Sequence, residues 1–275
     1  MGLKIVMQSH LSENSVDTEH PSMSVVREGL LRLSRKVLRP DTEVTMSYLD
    51  KHAGSVRYLY PAAVNTISLV NKVIQHEEAG YDAVVIPCTL DPALQECRAT
   101  VKIPVISAGE ASMLIAQLLG RKFALLIPSD QFIGLASTPL YQYGWRDRAI
   151  EHHPARGFEP SFDVFWDAII SALQGKPEKL IADFEKVALE CVRDGADTIV
   201  CYEGPASTAL SLVDYTKVAD TGVPVVSAAV AMFKLAEIMA DLKQSIGLTK
   251  TESLMSPYAP MPKDMLAQIQ QDFKF

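Results

Sequence analysis

Apolar residues occur along this chain in short continuous runs that alternate with longer stretches of helical periodicity. The short runs are rich in β-branched residues, which is typical of parallel strands buried on both faces. They predict strands at Leu3–Met7, Glu43–Tyr48, Ala83–Pro87, Val105–Ser107, Ala124–Ile127, Thr198–Cys201 and Val225–Ser227. The periodic stretches predict helices at Val25–Leu38, Ala62–Ala79, Glu110–Leu119, Phe165–Leu173, Lys179–Arg193 and Ala229–Gln244. This alternation predicts an α/β fold with parallel sheet covered by helices on both faces.

The chain also repeats itself. Three pairs of segments match in the same order: Gly80–Cys88 with Gly195–Glu203, Ile103–Ala108 with Val223–Ala228 and, more weakly, Leu3–Ser9 with Phe123–Ser129. The first pair shares a glycine, an aspartate and the apolar run that follows them. Because the separation between the matched segments is nearly constant, the matches predict two homologous lobes.

The repeat therefore predicts two pseudo-symmetric lobes, each a mostly parallel sheet flanked by helices. The first lobe is expected to contain residues 1–118 and 225–275, and the second residues 119–224. The segment 131–160 has no counterpart elsewhere in the chain and predicts a helix, an edge strand and a loop. A short surface helix is expected at Lys263–Asp272.

The ends of the predicted strands carry the candidate chemistry. In open parallel sheets, ligands bind beyond the carboxyl ends of the strands, and two facing lobes bring both sets of ends to one cleft. Four polar or reactive side chains closely follow predicted strands: Ser9, Cys88, Ser129 and Glu203. The expected catalytic residues are Cys88 and Glu203, at equivalent places in the two lobes. The expected substrate-binding residues are Gln8, Ser9, Thr89, Ser129, Tyr202 and Gly204.

Composition narrows the possible partners. The formal net charge of −7, without a cluster of Lys and Arg, argues against binding to nucleic acid. The chain has no apolar run of about 20 residues, so no membrane span is expected, and its first residues predict a strand and not a signal peptide. The four cysteines include no CxxC pair, so we expect no metal site, reduced thiols and a cytoplasmic location.

Several motifs resemble a known family. Similarity to the hydantoin and allantoin racemases, members of the aspartate/glutamate racemase superfamily, is carried by Cys88–Leu94, Arg98–Thr100, Ile103–Val105, Gly109–Ala111, Gly120–Ala124, Gly195–Val200, Gly222–Val225 and Lys234–Glu237. The resemblance implies a two-lobed, cofactor-independent enzyme, without metal or pyridoxal phosphate, that forms homo-oligomers. It also implies one cysteine in each lobe, the first removing a proton alpha to a carboxylate or carbonyl and the second returning one from the opposite face.

This chain departs from that pattern in its second half. Residue 203, where the register places the second cysteine, is a glutamate. Cys201 lies two residues earlier, about 6–7 Å further down the predicted strand, so we do not assign it a catalytic role. The sequence after the first strand, Gln8-Ser9-His10, likewise replaces a turn that is often rich in asparagine in the family.

A cysteine opposite a glutamate changes the expected chemistry. An active thiol needs a lowered pKa, and a helix starting at Asp91-Pro92-Ala93 would lower the pKa of Cys88. Burial would raise the pKa of Glu203 and allow it to act as an acid or a base. Racemisation requires each group to serve in both protonation states, which two cysteines do more easily than a cysteine and a glutamate.

The sequence thus predicts a racemase- or epimerase-like isomerase. It would act at the carbon alpha to a carboxylate or carbonyl of a small polar or anionic substrate, such as an amino acid or a hydantoin-like molecule. Cys88 is expected to be the base or nucleophile and Glu203 the opposing acid or base. Two alternatives stay open: a one-directional cysteine enzyme (a decarboxylase, a cis–trans isomerase or a hydrolase) and a non-catalytic protein that binds a small molecule.

Overall fold

The computed structural model describes residues 2–13 and 23–273, and its strands form two four-stranded sheets in which all paired strands are parallel. The first sheet has the order β2-β1-β3-β4, with β1 at Lys4–Ser12, β2 at Glu43–Leu49, β3 at Ala83–Ile86 and β4 at Val105–Ser107. The second has the order β6-β5-β7-β8, with β5 at Phe123–Ile127, β6 at Ala155–Gly157, β7 at Thr198–Cys201 and β8 at Val225–Ser227.

The two sheets share one strand order, and this confirms the predicted α/β fold of two similar lobes. In each lobe the first strand is flanked by the second and third, and the fourth lies at the edge. The pairing repeats in detail, since Val84 pairs with Val105 in the first sheet and Ile199 with Val225 in the second. The unmatched segment 131–160 supplies a helix and the edge strand β6, as its sequence predicts.

Helices cover both sheets. They are α1 at Met23–Val37, α2 at Leu59–Glu78, α3 at Leu94–Thr100, α4 at Ala108–Leu119, α5 at Ile133–Gln142, α6 at Phe162–Leu173, α7 at Glu178–Arg193, α8 at Gly204–Leu212, α9 at Ala228–Ile246 and α10 at Lys263–Phe273. All the predicted helices are confirmed, with ends that differ by a few residues. None of the helices in the described ranges is long and apolar enough to cross a membrane.

A shared core holds the two lobes together. Strands β3, β5 and β7 are buried along their whole length, which explains why their sequences are continuous apolar runs. One hydrophobic cluster contains residues of both sheets together with α6 and α9, among them Ile5, Leu126, Phe165 and Phe233. Because this burial removes apolar surface of both lobes from water, it fixes the ends of the two sheets relative to each other.

The pairing of β8 with β7 moves the predicted boundary between the lobes at residue 225. Residues 225–227 form β8, which pairs with β7, so these three residues belong with the second sheet and not with the first lobe. The helix that follows, α9, packs against β3 and β4 of the first sheet and also against α8 of the second lobe. The rest of the division, residues 1–118 with 225–275 and residues 119–224, stays a prediction.

Candidate active site

A cavity of about 450 Å³ lies beyond the carboxyl ends of β1, β3, β5 and β7. It is the position that the topology of two facing parallel sheets predicts for a ligand. The predicted site residues in its wall are Ser9, Cys88, Thr89, Tyr202, Glu203 and Gly204. Catalytic and binding roles for these residues remain predictions.

The ends of β3 and β7 meet at this cavity. The Thr89 hydroxyl donates a hydrogen bond to the main-chain oxygen of Tyr202 at 3.4 Å. A Cβ atom placed on Gly204 would lie 3.6 Å from the main-chain oxygen of Pro87. These contacts join the residues that flank Cys88 to those that flank Glu203, so the two predicted catalytic side chains face one space.

Two predicted substrate-binding residues do not line the cavity. Gln8 is fully buried; its Nε2 donates to the main-chain oxygen of Ser9, and its Oε1 accepts a hydrogen bond from Nε2 of His76, both at 2.7 Å. Ser129 is also buried, and its backbone packs against Gly157. Both side chains are therefore enclosed in the interior and do not line the cavity.

The turn that carries Cys88 differs from the sequence-based expectation. Asp91 and Ala93 adopt left-handed backbone conformations, with φ of 49° and 54°, and helix α3 begins only at Leu94. Cys88 therefore does not lie at a helix N-terminus. The predicted lowering of its pKa was wrong: burial, followed by the charges of Asp91 and Glu203, raises the pKa of the thiol to about 12.

Glu203 combines a structural and a chemical feature. It is the N-cap of α8, and its Oε2 accepts a hydrogen bond of 2.6 Å from the main-chain N–H of Ala206. Burial raises the pKa of its carboxyl group to about 8, although the hydrogen bond from Ala206 opposes the shift. At neutral pH both protonation states of Glu203 are therefore accessible, which suits a group that transfers protons.

Cys201 lies inside the protein, as expected. It is the last residue of β7, where it pairs with Leu126 on one side and Ser227 on the other. Its side chain is buried, and burial raises the pKa of its thiol well above the ordinary value. Cys201 is therefore not a second cysteine of the cleft.

His10 also lies in the cavity wall, although it is not among the predicted site residues. The pairing of β1 with β2 shifts in register between Gln8 and Ser12, and the residues within the shift, Ser9, His10 and Leu11, all line the cavity. Nδ1 of His10 is buried and has no hydrogen-bond partner among the described residues. Burial, followed by the charge of His52, lowers the pKa of His10 to about 4, so its imidazole is neutral at physiological pH.

Two arginines in the wall were also missed. Arg27 lies on α1, where its guanidinium donates to the hydroxyl of Tyr48 at 3.5 Å. Arg57 follows β2 in a loop, and its guanidinium lies 5.2 Å from the centre of the Phe132 ring. The helical spacing of the apolar residues around Arg27 could have revealed that it faces the cleft, whereas no pattern marks the loop that carries Arg57.

The remaining wall is largely apolar. It is formed by side chains of both lobes, namely Met23, Val26, Leu30, Met46, Ile127, Phe132 and Trp166. The cavity thus combines an apolar surface with two cationic side chains and the polar groups at the strand ends. In the described ranges, 2–13 and 23–273, no group of three or more His, Cys, Asp or Glu side chains is placed to hold a metal ion.

Known proteins with similar sequences and structures include several racemases. A family model described as Asp/Glu/Hydantoin racemase matches residues 22–236. A hydantoin racemase from Pseudomonas sp. (strain NS671) is 24% identical over 226 residues, 82% of this chain and 84% of that protein. A hydantoin racemase from Rhizobium meliloti is 29% identical over 201 residues, 72% of this chain and 76% of that protein. The structure of the allantoin racemase from Klebsiella pneumoniae superposes with a TM-score of 0.73 at 18% identity, over 95% of this chain and 94% of that one.

Proposed function

Because this chain belongs to the Asp/Glu/hydantoin racemase family, we propose that it is a racemase-like isomerase acting at the carbon alpha to a carboxylate or carbonyl group. The observation that carries the proposal is the placement of Cys88 and Glu203 in one cavity, at the ends of equivalent strands of the two lobes. Two proton-transferring groups on facing strand ends suit removal of a proton from one face of a carbon atom and its return to the other.

The pKa values of the two groups favour one division of labour. In the direction we propose, the Glu203 carboxylate removes the alpha proton, and the electron pair of the broken C–H bond is delocalised onto the carbonyl oxygen as an enolate. The Cys88 thiol then donates its proton to the opposite face of the carbon. Glu203 is left protonated and Cys88 is left as a thiolate, which is the state from which the reverse reaction starts.

This division reverses the expectation from sequence, in which Cys88 was the base. The pKa of Glu203, about 8, lies below that of Cys88, about 12, so the resting pair consists of a thiol and a partly ionised carboxyl group.

Other residues of the wall would support the proposed reaction. The neutral imidazole of His10 can donate one hydrogen bond, and such a donor stabilises an enolate oxygen as charge develops on it. Arg27 and Arg57 would attract an anionic group of the substrate. The apolar wall would hold an apolar substituent, so we propose a small substrate with a polar or anionic head, hydantoin-like or amino-acid-like, and an apolar side group.

A one-directional reaction on the same scaffold is a second candidate. It is favoured by the inequality of Cys88 and Glu203, because only one of the two is readily ionised near neutral pH. A decarboxylation or a cis–trans isomerisation needs a proton donor on one face, which the Cys88 thiol supplies. Hydrolysis through a Cys88 thioester is less well supported, since it requires a thiolate nucleophile.

A non-catalytic binding protein is a third candidate, and the raised pKa of the Cys88 thiol is the observation in its favour. A protein that only binds its ligand has no need of a thiolate. A cytoplasmic location and homo-oligomeric assembly stay predictions from the sequence.

The test is hydrogen exchange at the substrate. Single enantiomers of 5-substituted hydantoins and of amino acids, with apolar or polar side groups, would be incubated with the protein in deuterated water. We expect loss of optical activity together with deuterium at the alpha carbon, a loss of activity of about 10³-fold or more in Cys88→Ser, and little change in Cys201→Ala. Release of carbon dioxide from a malonate-type substrate would favour the decarboxylase, and tight binding of these compounds without exchange would favour the binding protein.

A further inference from the structure

The turn after Cys88 is held by one buried carboxylate that contacts both lobes. Oδ1 of Asp91 accepts a hydrogen bond of 2.9 Å from the main-chain N–H of Gly109, and Oδ2 accepts one of 2.8 Å from that of Glu110. Oδ2 also accepts a hydrogen bond of 2.8 Å from the hydroxyl of Tyr143. Tyr143 belongs to the second lobe, where it is the C-cap of α5.

Gly109 shows how tightly these elements pack. A Cβ atom at this position would lie 2.2 Å from the main-chain oxygen of Thr89 and 2.7 Å from both Oδ2 of Asp91 and the hydroxyl oxygen of Tyr202. Thr89, which follows Cys88, and Tyr202, which precedes Glu203, therefore both pack against the first turn of α4. Asp91 therefore packs at a point that both strand ends share.

Comparison of the two lobes shows that the start of α4 is capped by a different kind of residue from the start of α9. In the second lobe, the equivalent helix α9 also begins after the fourth strand of its sheet, and the N–H of Ala229 donates to the hydroxyl of Ser207 at 3.1 Å. The N–H of Val230 donates to the hydroxyl of Ser227 at 3.2 Å, so neutral hydroxyls are sufficient to cap this type of helix start. In the first lobe the carboxylate of Asp91 caps the equivalent helix, and this ionisable group also accepts a hydrogen bond from Tyr143 of the other lobe.

Asp91 is surrounded by titratable groups. Burial raises its pKa to about 6, against the opposing hydrogen bonds from Tyr143 and Gly109. On α4, Glu110 faces it, and Glu110 is itself paired with Arg98 of α3 through a hydrogen bond of 2.9 Å from Nη1. The charges of Cys88, Tyr143 and Tyr202 also interact with that of Asp91.

We propose that Asp91 is a positioning residue that holds the Cys88 turn against the Glu203 strand end through its contacts with Tyr143 and the first turn of α4. The inference rests on the proposed function for the identity of the reacting pair. The ionised form of Asp91 accepts three hydrogen bonds, and its protonation below about pH 6 weakens them and releases the turn.

The test measures the reactivity of Cys88 towards an alkylating reagent, without a substrate. Alkylation of Cys88 by iodoacetamide would be followed by mass spectrometry in the wild type, Tyr143→Phe, Asp91→Asn and the double variant. We expect Tyr143→Phe and Asp91→Asn each to accelerate alkylation about fivefold or more, and the double variant to match Asp91→Asn because both act through one contact. Tyr141→Phe, an exposed residue of the same helix, should match the wild type.

The same variants have a second readout in the exchange assay. If the proposed function holds, Tyr143→Phe lowers kcat about tenfold, leaves KM within about twofold, and moves the acid limb of the pH profile upward, since a hydrogen bond that lowers the pKa of Asp91 is lost. Cys88 alkylation at the wild-type rate in Tyr143→Phe and Asp91→Asn would overturn the inference. The inference would also be overturned if alkylation of Cys88 accelerated only in proportion to a fall in the Tm of the variant, while the pH profile of its activity stayed that of the wild type. A third outcome separates the two proposals. If the variants are alkylated faster but the wild type exchanges no substrate, Asp91 keeps its positioning role and the proposed function is wrong.

Discussion

The hydroxyl of Thr89 lies 3.4 Å from the main-chain oxygen of Tyr202 and donates a hydrogen bond to it. This contact joins the residue after Cys88 to the residue before Glu203, and so ties the first sheet to the second at the cavity. The distance between the two proton-transferring groups thus depends on a direct contact between the lobes as well as on the shared core.

Thr89→Val tests this contact, because valine keeps the shape of the side chain and removes its donor. We expect kcat to fall about three- to tenfold while the free energy of unfolding falls by about 1 kcal/mol, the net worth of one hydrogen bond. Thr100→Val is a matched control, since the hydroxyl of Thr100 bonds within α3 to the main-chain oxygen of Cys97, away from the cavity. Equal kcat values in Thr89→Val and wild type would show that the contact does not set the geometry of the reaction.

Glu203 caps a helix and faces the cavity, and two substitutions separate these roles. Glu203→Gln keeps an oxygen that accepts from the N–H of Ala206, so we expect nearly unchanged Tm but a loss of kcat of about 10³-fold or more. Glu203→Ala should lose the same activity and, in addition, about 1 kcal/mol of stability with the cap. Substantial activity in Glu203→Gln, measured by exchange in deuterated water, would remove Glu203 from the chemistry.

The raised pKa of Glu203 also predicts a pH dependence of stability. Its pKa is about 8 in the folded protein and about 4.3 in an unfolded chain, so folding favours the protonated form. The stability contributed by this preference is fully present below about pH 4.3 and is lost as pH rises towards 8. Urea unfolding at several pH values should therefore show a decline in the free energy of unfolding across this range in the wild type relative to Glu203→Gln. Parallel curves for the two proteins would contradict the buried, protonated carboxyl group.

The sequence and the structure agree where burial alone decides the outcome. The strand at Thr198–Cys201 was predicted with its observed bounds because a parallel strand covered on both faces must be apolar throughout. The placement of Cys88 and Glu203 in one cavity followed from the repeat and from the rule that parallel sheets bind ligands at the carboxyl ends of their strands.

Other features depend on contacts between residues far apart in the chain. The left-handed conformation of Asp91 is stabilised by N–H groups of Gly109 and Glu110, which no local pattern links to it, so a helix start was predicted where the chain makes a turn. The pKa of Cys88 was misjudged for the same reason. Arg57 lies in a loop, and its contact with Phe132, a residue of the other lobe, is one that no local pattern reveals.

His10 provides a prediction about the developing enolate. If its neutral imidazole donates to the enolate oxygen, His10→Ala should lower kcat about 10²-fold with a smaller effect on KM, as expected for a donor that acts mainly in the transition state. His152→Ala is the control, because His152 is exposed in the loop before β6 and does not line the cavity. The histidine ring of His10, followed by NMR, should stay neutral down to about pH 4. A protonation midpoint near 6.5 would contradict the buried environment assigned to it.

Arg57 provides a prediction about substrate recognition. Its guanidinium lies over the ring of Phe132 at one side of the cavity, where its charge would attract an anionic substrate. Arg57→Met keeps most of the side-chain volume and removes the charge, so KM for a carboxylate-bearing substrate should rise about tenfold while kcat stays within about twofold. Added salt should raise KM in the wild type and much less in Arg57→Met, because only the wild type loses an attraction that ions screen. An uncharged substrate of similar shape serves as the control and should give the same KM with both proteins. If Arg57→Met weakened the charged and the uncharged substrate equally, Arg57 would act through packing against Phe132 and not through its charge.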